Sequence, residues 1–229
     1  MFVVLEGIDG SGKSTLARMI ADKLTTKVPS VRVYHKLSPD FDDPYVRRQM
    51  RKLRDVMVVP AEEQHHLSTL GDHHWLFLAA AWFSAVQPNR LRTARASGEL
   101  VLMDGWYYRL IAKFLYKGGF DHDWLFSLFS TVSEPDLVVI LDVEPETAWK
   151  RRPTFTPNEL GVYERGGGDG APSEFEMYCR YQGALRQILL ELGRERSWVV
   201  VPQDETTTAE DTRDEICDRI LGTLTTLPK

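Results

Sequence analysis

The chain has 229 residues, 43% hydrophobic and 27% charged, the balance of a globular α/β protein with enough chain to bury its own core. A net charge of −5 and a pI near 5.7 exclude a general binder of nucleic-acid polymers or anionic membranes, which needs an excess of Lys and Arg. The two cysteines, Cys179 and Cys217, share no metal-type spacing and read as idle thiols.

The first apolar run is Phe2–Leu5, a β-branched strand pattern cut short by Glu6, so the sequence predicts no secretory leader. Lys13–Leu24 carries Leu16, Met19, Ile20 and Leu24 at helical spacing. Val31–Tyr34 reads as a second strand, Asp43–Met57 as a basic helix, and Ala61–Val86 as helix with a break at Gly71. The apolar stretch Trp75–Val86 is shorter than the about 20 residues that span a bilayer, so it reads as a buried helix or subunit contact in a soluble, cytoplasmic protein.

Leu100–Met103 is a third strand that delivers Asp104 at its carboxyl end. Helices are expected from about Trp106 and over Trp124–Val132, a fourth strand over Leu137–Leu141, and a helix over Glu146–Arg152. Residues 153–173 hold three prolines and the run Gly166-Gly-Gly-Asp-Gly170, the composition of a mobile lid. A helix over Glu174–Leu192, a fifth strand over Trp198–Val201 and a closing helix over Ala209–Leu224 complete the chain. Alternating strands and helices predict a single domain, 1–229, built on a five-stranded parallel sheet with helices on both faces. Ligands of such sheets bind beyond the carboxyl ends of the strands, where the Gly7 loop, Asp104 and the segment after Asp142 all fall.

Gly7-Ile-Asp-Gly-Ser-Gly-Lys-Ser14 fits the phosphate-loop pattern G-x-x-x-x-G-K-[ST] and sits between a strand and a helix, as that pattern requires. Its glycines let backbone amides close on phosphate oxygens at a helix N-terminus. Gly7, Gly10, Ser11, Gly12, Lys13, Ser14 and Thr15 are therefore the expected ATP cradle, with Lys13 as a charge at the transferring phosphate and Ser14 as a Mg²⁺ ligand. Asp104 suits the magnesium shell or the acceptor's proton. Phosphoryl transfer spreads negative charge over three oxygens, and Arg151, Arg152 and Arg165 flank or lie in the expected lid where they could meet it. The pairs His65-His66 and His73-His74 point adjacent side chains in different directions and form no ready metal site.

A GTPase would carry N-K-x-D, yet neither Asn89 nor Asn158 is followed by lysine, and an L-S-G-G-Q-like signature is absent. A kinase acting on a small acceptor remains, alongside a nucleotide-binding module without catalysis.

Val3-Val-Leu-Glu-Gly-Ile-Asp-Gly-Ser-Gly-Lys-Ser-Thr15 resembles the opening of the thymidylate kinases. Gly98-Glu-Leu-Val-Leu-Met-Asp104 resembles the strand before their Asp-Arg-Tyr motif, and Leu141-Asp-Val-Glu-Pro-Glu-Thr-Ala148 their fourth strand and following turn. The resemblance implies ATP-dependent transfer, with Mg²⁺, to dTMP or a related nucleotide or nucleoside. It implies that Asp9 meets the acceptor's sugar hydroxyl, that Asp104 serves magnesium or the acceptor phosphate, and that Arg152 and Arg165 are lid arginines. It further implies that Gln203 and Asp204 lie near the adenine and that the family's homodimer recurs through Trp75–Val86.

The departures cluster at the acceptor. The family's Asp-Arg pair is Asp104-Gly105 here. Leu76-Phe-Leu-Ala-Ala-Ala-Trp82 puts Trp82 where an arginine is expected. Arg109 and Leu110 replace small polar residues, Lys113 takes an aromatic position, and Lys36-Leu-Ser-Pro39 replaces Arg-Glu-Pro. The acceptor contacts are thus expected to be Asp9, Trp82, Arg109 and Lys113, and dTMP is expected to be a poor substrate. A hydroxyl on a different small metabolite is the alternative acceptor.

Overall fold

A computed structural model describes residues 1–37, 41–152, 154–161, 172–204 and 206–226. Strand β1 (Phe2–Glu6) ends at the glycine loop, and α1 (Lys13–Leu24) follows it. Strand β2 (Val31–His35) leads to α2 (Pro44–Met57), whose N-terminus is capped by the Asp43 carboxylate accepting from the Tyr45 and Val46 amides. Short 3₁₀ turns over Ala61–Leu70 end at Gly71, and α3 (Asp72–Val86) begins there, so Gly71 does divide this region. A wide turn over Gln87–Leu91 joins α3 to α4 (Arg92–Ala96), and it contains Pro88, which cannot donate to a helical ladder.

Strand β3 (Leu100–Asp104) is followed by α5 (Tyr108–Lys117) and α6 (His122–Ser127). Strand β4 (Leu137–Val143) is followed by α7 (Pro145–Lys150), shorter at its end than expected. Helix α8 (Glu174–Glu195) opens with a reciprocal cap between Ser173 and Glu176, and β5 (Val199–Gln203) and α9 (Ala209–Thr226) close the chain.

The strands form one parallel sheet in the order β2-β3-β1-β4-β5. Its period-2 pattern separates two cores. Phe2 and Val4 of β1, with Val101 and Met103 of β3, face the core shared with α3, α5 and α8. Val3 and Leu5, with Leu100 and Leu102, face α1 and α9. Burial on both faces explains why these strands read as continuous apolar runs. Strand β1 lies between β3 and β4, so the glycine loop, Asp104 and the end of β4 come together at one edge. Among the described residues no helix is long and apolar enough to cross a membrane.

Candidate active site

The loop after β1 closes on the chain so tightly that side chains are excluded. Gly7 has φ 146°, and a Cβ there would lie 2.8 Å from the Leu141 carbonyl oxygen. Gly10 has φ 81°, and its Cβ would lie 2.8 Å from the Ala148 carbonyl oxygen. Within this loop Lys13 Nζ donates to the carbonyls of Gly7 (3.0 Å) and Ile8 (2.7 Å) and to Ser11 Oγ (3.2 Å). Burial pushes the Lys13 ammonium down to about 8, against the pull of Asp9.

Ser14 Oγ donates to Asp104 Oδ2 at 2.5 Å, joining the first turn of α1 to the end of β3. A hydroxyl and a carboxylate side by side on the wall of a cavity are hard oxygen ligands, the donor set Mg²⁺ accepts when phosphates and water complete its shell. The two residues expected to hold the metal are thus in contact.

This wall belongs to a cavity of about 990 Å³ that runs from the glycine loop past α5 to Gln64 and Trp75. Asp9 is one of the residues that line it. Its carboxylate accepts from Arg109 and, at 3.2 Å, from Gln182 Nε2, while its backbone carbonyl accepts from the Tyr178 hydroxyl. Burial works to raise the Asp9 pKa, but Arg109, Lys13 and Lys36 outweigh it and hold the group ionised below the usual carboxylate range. Arg109 therefore orients Asp9 as well as lining the cavity. Lys113, one turn further along α5, also lines the cavity and donates to Asn158 Oδ1.

Trp82 is not part of this site. It is fully buried, absent from the cavity wall, edge-on to Phe41, and donates its indole N–H to the Lys36 carbonyl at 2.7 Å. The apolar run of α3 that contains it turns this residue into the core beneath β2, so its role is packing and the expected acceptor contact is withdrawn. Arg165 and most of the segment 153–173 lie outside the described residues. Arg152 lines the cavity and is paired with Glu159 at 2.7 Å, whereas Arg151 donates to Gln203 Oε1 at 2.8 Å. Gln203 lines the cavity, but the Asp204 carboxylate folds its own turn by accepting from the Thr206 and Thr207 amides. The described residues contain no group of three or more potential metal-binding His, Cys, Asp or Glu side chains.

Lys36 is the residue whose importance the sequence reading missed. It follows β2 and lines the cavity, with its backbone amide donating to the Asp104 carbonyl (3.4 Å). Its side chain crosses Gly105, where a Cβ would meet Lys36 Cδ at 3.1 Å and Nζ at 3.4 Å. Among the described lysines and arginines of the cavity wall, Lys36 is the one whose side-chain cation has no hydrogen-bond or ion-pair partner among the described residues. Burial, and then Arg109, lowers its pKa against Glu6, Asp9 and Asp104. Glu6 is itself wholly buried, its Oε1 accepting from the Trp106 amide at 2.8 Å, and burial raises its pKa against the pull of Lys36. The available signal was Gly105: a glycine at this position leaves room for a neighbouring cation.

The thymidylate kinase family model matches residues 5–159. The chain belongs to the thymidylate kinase family. It is 30% identical over 217 residues to a probable thymidylate kinase of Archaeoglobus fulgidus, covering 94% of this chain and 92% of that protein. A probable thymidylate kinase of Thermococcus gammatolerans is 26% identical over 235 residues, covering 97% and 94%. Membership makes the chain an ATP-dependent nucleoside monophosphate kinase.

Proposed function

We propose that the protein transfers the γ-phosphoryl group of ATP to the phosphate of a nucleoside monophosphate related to dTMP. The observation that carries this reading is Lys36, an ammonium on the cavity wall over Gly105 with no hydrogen-bond or ion-pair partner among the described residues. A cation taken partly out of water needs an anion, and a monophosphate supplies one where a neutral hydroxyl acceptor does not. Lys36 thereby takes the task for which the family's arginine is missing.

In this reading the amides from Gly7 to Thr15 cradle the ATP phosphates, and Lys13 leaves the loop carbonyls to meet the transferring group. Ser14 and Asp104 would hold Mg²⁺, which would supply charge neutralisation at the phosphate oxygens. Asp9, held ionised by Arg109 and Gln182, accepts a hydrogen bond from a sugar hydroxyl. Arg152, with Arg165, meets the transition-state charge as a lid over 153–173 closes on the single domain. The exposed Leu70 and Phe77 on and before α3 suit the family's homodimer, and the reaction belongs to the cytoplasm.

Acceptor-dependent ADP release decides the matter, measured with matched deoxynucleosides and their 5′-monophosphates. Monophosphates are expected to support turnover and nucleosides are not. Turnover with nucleosides alone, or with neither, overturns the reading.

A further inference from the structure

Lys36 stands one residue past the last rung of the sheet. His35 ends β2 opposite Asp104 of β3, and beyond that pair the strand ladder gives the chain no further hold. Three hydrogen bonds take over. The Lys36 amide donates to the Asp104 carbonyl at 3.4 Å, and the Lys36 carbonyl accepts from the Trp82 indole N–H at 2.7 Å. The third bond lies within the turn, where the Leu37 amide donates to His35 Nδ1 at 3.2 Å. The side chain before the lysine thus holds the amide after it, the same contact across two residues with which Asn and Asp fold a chain on itself. His35, Lys36 and Leu37 all line the cavity.

The contact has a chemical requirement. A ring nitrogen accepts only when it carries no proton, so Nδ1 is the bare nitrogen and the neutral ring keeps its proton on Nε2. It also has a mechanical effect. A lysine ammonium sits on a long flexible stem, and a backbone free to swing at the root of that stem multiplies the positions open to the charge. Ordering such a group costs free energy when the ligand arrives. With Lys36 tied at its own amide, its carbonyl and the next amide, only the side-chain torsions are left to order, and Gly105 leaves the space for them. Two of these ties come from the sheet and the core, through Asp104 and the fully buried Trp82. His35 supplies the third from an exposed position, where packing has no need of a ring nitrogen.

We infer that His35 is a positioning residue for the acceptor, its Nδ1 holding the turn that presents Lys36 to the acceptor's phosphate. The inference rests on the monophosphate reading above. His35 acts through Lys36 and does not itself touch the phosphate, and asparagine separates these two roles. Its side-chain oxygen can accept the Leu37 amide across the same two residues, but it is shorter than imidazole and places no donor where Nε2 stands.

The test is steady-state kinetics of the full chain at one fixed pH, with saturating MgATP and varied dTMP. His35→Ala is expected to raise the KM for dTMP about three- to tenfold, the order of one neutral hydrogen bond, and to change kcat less than about twofold. His35→Asn is expected to bring KM back to within about twofold of wild type. His35→Phe, which keeps the ring and removes the acceptor, should raise KM as alanine does and serves if the alanine variant does not fold. With Lys36→Ala present, the effect of His35→Ala on KM should vanish, since no ammonium is left to position. An unchanged KM in His35→Ala and His35→Phe, a rise that His35→Asn does not correct, or the same rise with and without Lys36 overturns the inference while the monophosphate reading stands. A wild-type protein that turns over thymidine but not dTMP, or neither, fails the monophosphate reading itself, and this inference falls with it.

Discussion

The Ser14 hydroxyl and the Asp104 carboxylate meet at 2.5 Å across 90 residues of sequence. The contact exists because β1 and β3 are parallel neighbours, with Leu5 opposite Asp104, so the turn that starts α1 faces the end of β3. It requires no motif longer than the phosphate loop plus one aspartate at a strand end.

Asp104→Asn keeps the shape of this contact and removes its charge. We expect kcat to fall about a hundredfold or more, roughly 3 kcal/mol of transition-state stabilisation, with metal-free ATP binding little changed. Ser14→Ala is expected to raise the Mg²⁺ concentration needed for half-maximal activity. Equal losses in kcat and in metal-free ATP affinity for Asp104→Asn would assign Asp104 a structural role instead.

Lys13 gives a pH dependence. Its pKa in the ligand-free protein is about 8, below the ordinary lysine value because of burial, and phosphate oxygens raise it when ATP binds. Below pH 8 both free and bound forms carry the proton and affinity is flat. Above pH 8 the free protein must take up a proton to bind, so affinity falls by up to about tenfold per pH unit until the bound form also titrates. Calorimetry from pH 7 to 9.5 in buffers of different ionisation enthalpy should show that proton uptake. In the ligand-free protein the same lowered pKa has the opposite effect on folding. The unfolded lysine keeps its proton between pH 8 and 10.5, so this residue's contribution to stability rises across that window.

The glycine loop, the five strands and Asp104 were legible because each is local: apolar runs, glycine spacing, and a carboxylate after four buried residues. The rest of the cavity wall was not, because it is made by residues that meet only through the sheet and α8. Gln182 reaches Asp9 from 173 residues away, and Glu159 and Asn158 enter from the segment after α7. Lys36 was visible as a departure from the family, but that it fills the space over Gly105 depends on β2 lying beside β3. Trp82 was misread for a related reason. A tryptophan at helical spacing in an apolar run fits a core as well as a pocket, and only the packing of α3 decides which.

Trp82→Ala should therefore act on stability. Removing a fully buried indole costs about 3–5 kcal/mol. Trp82→Phe should cost less, about 1–3 kcal/mol, chiefly by leaving the Lys36 carbonyl without its 2.7 Å partner. Urea denaturation at equilibrium measures both. A tryptophan that touched the acceptor would instead raise its KM and leave the denaturation midpoint where it was.

The pairing of Gly105 with Lys36 can be separated from the backbone strain at the same position. Gly105 has φ 76°, a conformation that costs a residue with a Cβ about 1–2 kcal/mol, and that Cβ would press on Lys36 Cδ at 3.1 Å. Gly105→Ala is thus expected to do two things. It lowers stability by about 1–2 kcal/mol, and it displaces the Lys36 ammonium, raising the KM for the monophosphate acceptor several-fold toward the value of Lys36→Ala. Lys36→Ala alone should raise that KM about tenfold, since it removes the charge and leaves the loop untouched. In the double variant the strain persists but there is no lysine left to displace. The stability loss of Gly105→Ala should then recur in full, while its effect on KM disappears. A Gly105→Ala effect on KM that is the same with and without Lys36 would mean that the glycine shapes the acceptor site directly, and that Lys36 is a bystander above it.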